Sequence, residues 1–243
     1  MKLPKSHPRY ESLKTRDLIS KGVEKGITSM HGLIAHGRGE ALDYLIGERT
    51  NKFAKNSIKA AAALLLIAKH PVISVNGNTA ALAPRELVQL SKLINAPLEI
   101  NIFHISKQRE LKIKKHLEKY GGKNILMAQK NTIIKFLDSN RKYVNPKGIL
   151  KSDVVFVPLE DGDRTEALIK NGKKVITVDL NPLSRTAQKA SITIVDNITR
   201  TIPSLINVIN RLKKYNKNKL KSVIRNYDNE KNLNNVIKLI RNS

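Results

Sequence analysis

The sequence predicts an α/β protein in which helices pack on both faces of a mostly parallel sheet. From residue 71 onward, short runs of β-branched and aliphatic residues alternate with longer segments of helical periodicity. Gly, Pro, Asn and Asp residues that favour turns separate these segments. A repeated strand-helix-strand order requires right-handed crossovers, which make the strands parallel and cover the sheet on both sides.

The elements follow from spacing and capping signals. Apolar residues at helical spacing predict helices over 11–26 and 53–68, and the Thr28-Ser29 pair caps a further helix between them. The alternating part is predicted to contain strands 72–75, 98–103, 124–127, 154–157, 174–178 and 191–195, and helices 84–95, 107–120, 163–171, 184–189 and 199–214. Residues 128–150 are the least regular stretch.

Three segments of one globular unit are predicted: an N-terminal helical segment (1–70) packed on the core, the α/β core (71–200), and a C-terminal helical extension (201–243). The extension carries ten Lys or Arg residues against Asp228 and Glu230. It also keeps an apolar helical stripe, so we expect a packed or dimer-forming extension rather than a disordered basic arm.

Composition narrows the functional class. The absence of cysteine excludes disulfides, thiolate zinc sites, iron–sulfur clusters and a cysteine nucleophile. The amino terminus lacks an apolar signal core, and the longest apolar run, 60–68, is far shorter than the ~20 residues of a membrane span. We therefore expect a soluble, cytoplasmic protein without a membrane partner.

The formal net charge of +25 raises nucleic-acid binding as an alternative function. Aromatic residues make up only 4% of the chain, which leaves few platforms for base stacking, and no DNA- or RNA-binding motif is present. Lysine, asparagine and isoleucine are abundant together, as an AT-rich genome would produce. We expect the charge to attract polyanionic substrates and expect no nucleic-acid partner.

Polar segments follow the two clearest strands, where the carboxyl ends of parallel strands form a ligand crevice. The first segment contains Glu160, Asp161 and Asp163, followed by Arg164. Three clustered carboxylates suit a cation, which could be Mg²⁺, a substrate ammonium or the neighbouring arginine. Alternatively, they form the acidic first turn of a helix. These segments indicate an enzyme.

The second segment places Asp179 after a strand, where it could accept a hydrogen bond from a ribose hydroxyl. Arg185 and Thr186 then open a helix whose N–H groups suit a phosphate. Asp196 and Asn197 repeat the pattern one unit later. Each of these residues alone could simply cap a helix.

Two further segments have both a functional and a structural interpretation. Residues 31–40 contain two histidines, three glycines and Arg38, which would interrupt a helix and let a phosphate approach the backbone, or form a helix–helix turn. Asn76 and Asn78 flank a glycine and could orient a substrate or cap a helix. A metal site from His31 and His36 is disfavoured, because a spacing of five is poor for one helical face.

The GxxxxGK[ST] loop and the GxGxxG fingerprint are both missing, which argues against standard NTPases and dinucleotide enzymes. The chain nevertheless resembles the archaeal phosphopantothenate synthetases, or 4-phosphopantoate–β-alanine ligases. The matching pieces run in order through about the first 200 residues and are residues 6–10 (SHPRY), 32–40 (GLIAHGRGE), 44–48 (YLIGE), 74–78 (SVNGN), 157–168 (VPLEDGDRTEAL), 178–185 (VDLNPLSR) and 192–197 (ITIVDN).

The resemblance implies a Rossmann-like homodimer that condenses 4-phosphopantoate with β-alanine through an acyl-adenylate, with ATP converted to AMP and pyrophosphate in coenzyme A biosynthesis. The ATP contacts that it implies are Arg16, Arg38, Asp179, Leu180, Asn181, Arg185, Thr186, Asn197 and Ile198. The chain departs from the family at Lys135-Phe136, where members often have a proline-glycine pair ahead of Arg141.

That chemistry assigns roles to further residues. Arginines would neutralise the ATP phosphates, and Mg²⁺ would bridge them with Asp163 as a candidate ligand. Glu160 or Asp161 would hold β-alanine and accept its proton. Candidates for binding the substrates are Lys5, His7, Arg9, Asn76, Asn78 and Arg164. A kinase acting on pantoate is the remaining alternative, disfavoured by the missing phosphate loop.

Overall fold

A computed structural model describes residues 4–7, 9–104 and 106–242. Within these ranges the helices are α1 (Tyr10–Glu24), α2 (Met30–Leu45), α3 (Lys52–Ile67), α4 (Gly77–Leu82), α5 (Pro84–Ile94), α6 (Lys107–Lys119), α7 (Gly162–Lys170), α8 (Arg185–Lys189), α9 (Ile198–Leu212), α10 (Lys217–Arg225) and α11 (Asn229–Arg241). The strands are β1 (Pro71–Val75), β2 (Leu98–Ile100), β3 (Ile125–Met127), β4 (Gln129–Ile133), β5 (Tyr143–Val144), β6 (Val154–Phe156), β7 (Lys174–Val178) and β8 (Ile192–Ile194).

Six of the described strands form one parallel sheet in the order β3-β2-β1-β6-β7-β8. In the central register, Ile73 of β1 pairs with Leu98 of β2 and with Phe156 of β6. The chain winds outward from β1 in one direction and from β6 in the other, so the order of the strands reverses between them. Such a switch point opens a crevice at the carboxyl ends of the two strands.

Alternating side chains of the strands build a core on each face of the sheet. Ile73 and Phe156 point into the larger core, under helices that include α3, α5 and α9. Val72 and Val155 point into the smaller core, which α7 and parts of the 134–149 segment cover. The prediction of an α/β protein with a mostly parallel sheet and helices on both faces is confirmed.

The C-terminal helices pack against α3, which is rich in alanine and leucine. Asn232 donates a hydrogen bond from Nδ2 to Oγ of Ser57 on α3, at 2.8 Å. Tyr227 donates from its hydroxyl to the Thr193 carbonyl on β8, at 3.3 Å. The basic extension is therefore held by specific polar contacts as well as by its apolar stripe. The division of the chain into three segments stays a prediction.

The irregular 128–150 stretch contains a short antiparallel pair, β4 with β5, and a 3-10 turn over Asn140–Lys142. Glu99 of β2 fastens the end of this stretch, because its carboxylate accepts the backbone N–H groups of Asn145 (2.9 Å) and Ile149 (2.6 Å). Burial raises the pKa of Glu99 to about 7. Phe136, in the segment that departs from the family, has φ of 65°, a left-handed conformation suited to glycine.

One local prediction is wrong. Residues 31–40 do not interrupt a helix, because α2 runs unbroken from Met30 to Leu45 with Ser29 as its N-cap. No described helix has both the length and the apolar character that a bilayer span requires.

Candidate active site

Two adjacent cavities that share lining residues lie at the carboxyl ends of the strands, beside α2. The first, here called the β7 lobe, has a volume of about 400 Å³ and is lined by residues that follow β6, β7 and β8. The second, the β1 lobe, has a volume of about 330 Å³ and is lined by residues that follow β1 and β2. Both cavities are lined by a shared set, here called the junction: Ala35, Arg38, Asn78, Leu159 and Asp161.

Glycines bring α2 close to the rest of the crevice. A Cβ on Gly32 would lie 2.3 Å from Oδ1 of Asn78, and a Cβ on Gly39 would contact Leu180 at 3.4 Å. These glycines therefore serve close packing between protein elements. Arg38, on the same helix, is exposed at the junction and makes no side-chain hydrogen bond or ion pair with the described residues.

Asn76 supports a strained backbone at the junction. Its Oδ1 accepts from Thr79 N and forms a capping box, while its Nδ2 donates to the carbonyls of Leu159 (2.9 Å) and Pro158 (3.3 Å). Leu159 has φ of 56°, which is costly for a branched L-residue and concentrates at functional sites. The Asn78 amide is also occupied, since it bonds to Thr28 and to the Gly32 carbonyl.

A buried ionic cluster lies directly behind the junction. The side chain of Glu160 has no exposed surface and forms ion pairs with both Arg141 and Arg164. Arg164 is equally buried and also donates to Oγ of Ser74 on β1, at 3.2 Å. Because both carboxylate oxygens of Glu160 are bound by guanidinium groups, this residue anchors the loop after β6.

Arg141 was not among the predicted site residues, although it follows the Lys135-Phe136 pair at which the sequence departs from the family. It donates to Asn101 at the end of β2 (2.9 Å) and to Asp161 (2.7 Å). Asp161 is half exposed and belongs to the junction, in contrast to Glu160. Only the tertiary structure brings Arg141 to these acids, since it lies about twenty residues earlier in an irregular loop.

The β7 lobe contains an acid at the end of its central strand. Asp179 accepts hydrogen bonds from Asn181 N (2.9 Å) and from Oγ of Ser184 (2.5 Å), which fix the loop that leads into α8. Burial raises the pKa of Asp179. Arg185 extends over Gly162, where a Cβ would lie 2.6 Å from the arginine, and pairs with Glu166 at 2.5 Å.

A second polar network fixes Asn197 at the other wall of the β7 lobe. Asn197 caps α9 and donates to Asp43 of α2 at 3.1 Å. Arg200 pairs with both Asp43 (2.5 Å) and Asp196 (2.6 Å). Burial raises the pKa of Asp196, and the two carboxylates raise the pKa of Arg200 against its own burial.

Most of the residues implied for ATP meet in the β7 lobe. Those that line it are Arg38, Asp179, Leu180, Asn181, Arg185, Thr186, Asn197 and Ile198. Arg16 lies outside the lobe and bonds to Glu40 at 2.7 Å, which lowers the pKa of that carboxyl. Glu40 itself lines the β7 lobe, so Arg16 is linked to the lobe indirectly, through its ion pair with Glu40.

The substrate candidates are more dispersed. Asn76 and Asn78 line the β1 lobe, whereas Arg164 lies buried behind it. Arg9 pairs with Glu40 at 3.1 Å, and His7 accepts a hydrogen bond from the Arg9 backbone. Lys5, His7 and Arg9 line neither lobe.

The acids near the crevice do not form a metal cage. No group of three His, Asp or Glu side chains with metal-binding geometry occurs in the described ranges. Asp163 lies in the first turn of α7 and lines neither lobe. Mg²⁺ in phosphate-handling sites is commonly held by one or two carboxylates plus the substrate phosphates. In this crevice Mg²⁺ would therefore depend mainly on substrate phosphates and water for its ligands.

Comparison with known proteins assigns the chain to a family. The sequence model described as phosphopantothenate/pantothenate synthetase matches residues 53–243. A protein of Thermococcus kodakarensis named 4-phosphopantoate–β-alanine ligase is 52% identical over 98% of this chain and 92% of its own length. Its namesakes in Methanosarcina mazei and Methanospirillum hungatei are 47% and 48% identical, over 98% and 84% of this chain and 94% and 83% of their own lengths.

The ionic cluster yields a stability prediction. Glu160→Gln leaves Arg141 and Arg164 without their shared counter-charge in a buried site, so we expect the free energy of unfolding to fall by about 3–5 kcal/mol. Asp161→Asn is the matched control, because Asp161 is half exposed and its loss should cost less than ~1 kcal/mol. Urea denaturation followed by circular dichroism measures both values. Equal costs would show that burial does not distinguish the two acids.

Proposed function

Because the chain belongs to the phosphopantothenate/pantothenate synthetase family, we propose that it joins 4-phosphopantoate to β-alanine in coenzyme A biosynthesis. ATP is consumed, and AMP and pyrophosphate are released through an acyl-adenylate. The observation that carries the mechanism is the pair of lobes that meet at Arg38 and Asp161. One lobe takes ATP, the other takes the acid, and the reaction occurs where they join.

ATP is assigned to the β7 lobe. Asp179 stands at the end of a parallel strand beside the switch point, where an acid accepts hydrogen bonds from ribose hydroxyls. Arg185 is 60% exposed, and its one ion pair among the described residues is with Glu166, so its guanidinium is free to turn toward phosphate. Asn197 is held in place by Asp43 and completes the wall.

In the first step, a carboxylate oxygen of the acid attacks the α-phosphorus of ATP, and the bond to the β-phosphate breaks. Arg38 is placed for this step, because it lines both lobes and has no internal partner among the described residues. A guanidinium at the junction neutralises the charge that develops on the phosphoryl oxygens and holds the two anions together.

In the second step, the amine of β-alanine attacks the acyl carbon, AMP leaves, and the nitrogen loses a proton. Asp161 is the better-placed acceptor of the two predicted acids, because it faces the junction whereas both oxygens of Glu160 are bound to arginines. Arg141 orients the Asp161 carboxylate at 2.7 Å. Glu160 therefore acts by positioning this loop.

Mg²⁺ is proposed as the companion of ATP. When bound, it would neutralise phosphate charge and would be held mainly by the phosphate oxygens of ATP and by water. We place the reaction in the cytoplasm, where ATP is supplied. The net charge of +25 is attributed to surface composition and to attraction of anionic substrates, without a nucleic-acid partner.

The product analysis tests the proposed function. AMP and pyrophosphate should form only when ATP and 4-phosphopantoate are both present, and amide product should require β-alanine as well. Chromatography of the nucleotides measures this directly. Formation of ADP would contradict adenylation and would revive the kinase alternative.

The role of Asp161 can be separated from adenylation. Asp161→Asn should reduce amide synthesis on the order of 100-fold, because the amine loses its proton acceptor. Pyrophosphate exchange into ATP without β-alanine should change little. Asp163→Asn is the control, since it removes the same charge two residues away and outside both lobes, and it should leave both rates unchanged. Equal losses of exchange and synthesis in Asp161→Asn would contradict this role.

We also propose the homodimer that the resemblance implies, with α2 in the interface. Ile34 and Tyr44 of α2 are 65% and 71% exposed, and such apolar surface is typical of an interaction site. Light scattering should give twice the chain mass, and Ile34→Glu should shift the protein toward the monomer. Leu111→Glu is the control, because it alters an exposed leucine that belongs to α6 and not to α2. A monomeric wild type, or a dimer unaffected by Ile34→Glu, would contradict this interface.

A further inference from the structure

We propose that Arg109, together with His31 and His104, binds the phosphate of the acid substrate in the β1 lobe and thereby selects the phosphorylated acid. The inference rests on the proposed function and concerns three residues that the sequence did not assign to substrate binding. Arg109 lies on α6, His31 on α2, and His104 in the loop after β2. Three separate elements thus contribute cationic or proton-bearing side chains to one cavity.

Some polar groups of the β1 lobe are already bound to protein partners, whereas others are free within the described part of the chain. The amides of Asn76 and Asn78 are occupied by protein partners, and Arg141 is bound to Glu160 and Asp161. In contrast, the side chains of Arg109, His31 and His104 make no hydrogen bond or ion pair with the described residues. The two imidazole rings lie against each other, with centroids 5.4 Å apart. Their polar atoms are therefore available to a ligand.

The charged side chains that line the β1 lobe favour an anionic ligand. Asp161 is the one carboxylate among the described residues that line the β1 lobe, and Arg141 already neutralises it. Arg38 and Arg109 are left as uncompensated cations in the same cavity. A guanidinium offers two parallel N–H donors that match phosphate oxygens, and imidazoles add further donors. The lobe thus suits a ligand with more than one negative charge.

The positions of these residues also fix the direction in which the acid substrate would lie. Arg109, His31 and His104 line the β1 lobe alone, whereas Arg38 and Asp161 line both lobes. The carboxylate of the acid must reach the junction in order to attack ATP. Its phosphate, at the other end of the molecule, then extends into the β1 lobe toward Arg109. The N-terminal residues Lys5, His7 and Arg9, which were sequence-based candidates for binding the substrates, line neither lobe.

Arg109→Met provides the test. We expect kcat/KM for 4-phosphopantoate to fall by about 10- to 100-fold, because charge-assisted hydrogen bonds to the phosphate are lost. KM for ATP and for β-alanine should stay within about twofold of wild type. Arg109→Lys should recover part of the loss, since lysine restores the positive charge but lacks the two parallel N–H donors of the guanidinium. His31→Gln should raise KM for 4-phosphopantoate in the same selective way.

Lys115→Met is the matched control, because it removes one positive charge from the same helix at an exposed position outside the lobe. It should leave all three KM values unchanged. If KM rose for β-alanine instead of 4-phosphopantoate, Arg109 would bind the carboxylate of β-alanine, and the proposal would be overturned. Wild-type values in Arg109→Met would do the same. Absence of AMP formation by the wild-type chain would instead overturn the proposed function, so the two failures are distinguishable.

Discussion

The crevice depends on one buried carboxylate held between two arginines. Glu160 is fully buried and paired with Arg141 from the irregular loop and with Arg164 from α7. Through these partners the loop after β6 is fastened to Ser74 on β1 and to Asn101 after β2. A buried ion pair costs desolvation energy that is recovered only when its geometry and hydrogen bonds are nearly complete. This requirement favours one arrangement of the three strand ends.

The two ion pairs of Glu160 explain why the adjacent acids Glu160 and Asp161 lie in different environments. Glu160 and Asp161 are neighbours in sequence, yet the guanidinium groups occupy the first and leave the second half exposed at the junction. The left-handed conformation of Leu159 turns the chain between β6 and these acids, and the Asn76 amide bonds to its carbonyl. The strained backbone of Leu159 is thus stabilised by Asn76, which follows β1 on the other side of the switch point.

Much of the β7 lobe was predictable from the sequence because most of its lining residues lie in segments that follow a strand. Asp179, Arg185 and Asn197 lie in short segments with clear strand and helix boundaries, so their place at one edge of the sheet follows from the α/β pattern. The glycines of α2 were misinterpreted, because a glycine required for helix packing looks the same in sequence as one required for a ligand. Gly32 is distinguished only by the Asn78 side chain that lies against it.

The sequence by itself determined the α/β class, the family and the strand ends that bear polar residues, because periodicity and contiguous motifs are local properties of the chain. The tertiary structure alone decided which polar groups are already satisfied. Arg141 comes from a loop without periodicity, and Arg109 from a lysine-rich helix in which one more basic residue does not stand out. Whether such a side chain meets a carboxylate, water or a substrate depends on contacts between residues far apart in sequence, which burial and hydrogen-bond geometry select only after folding.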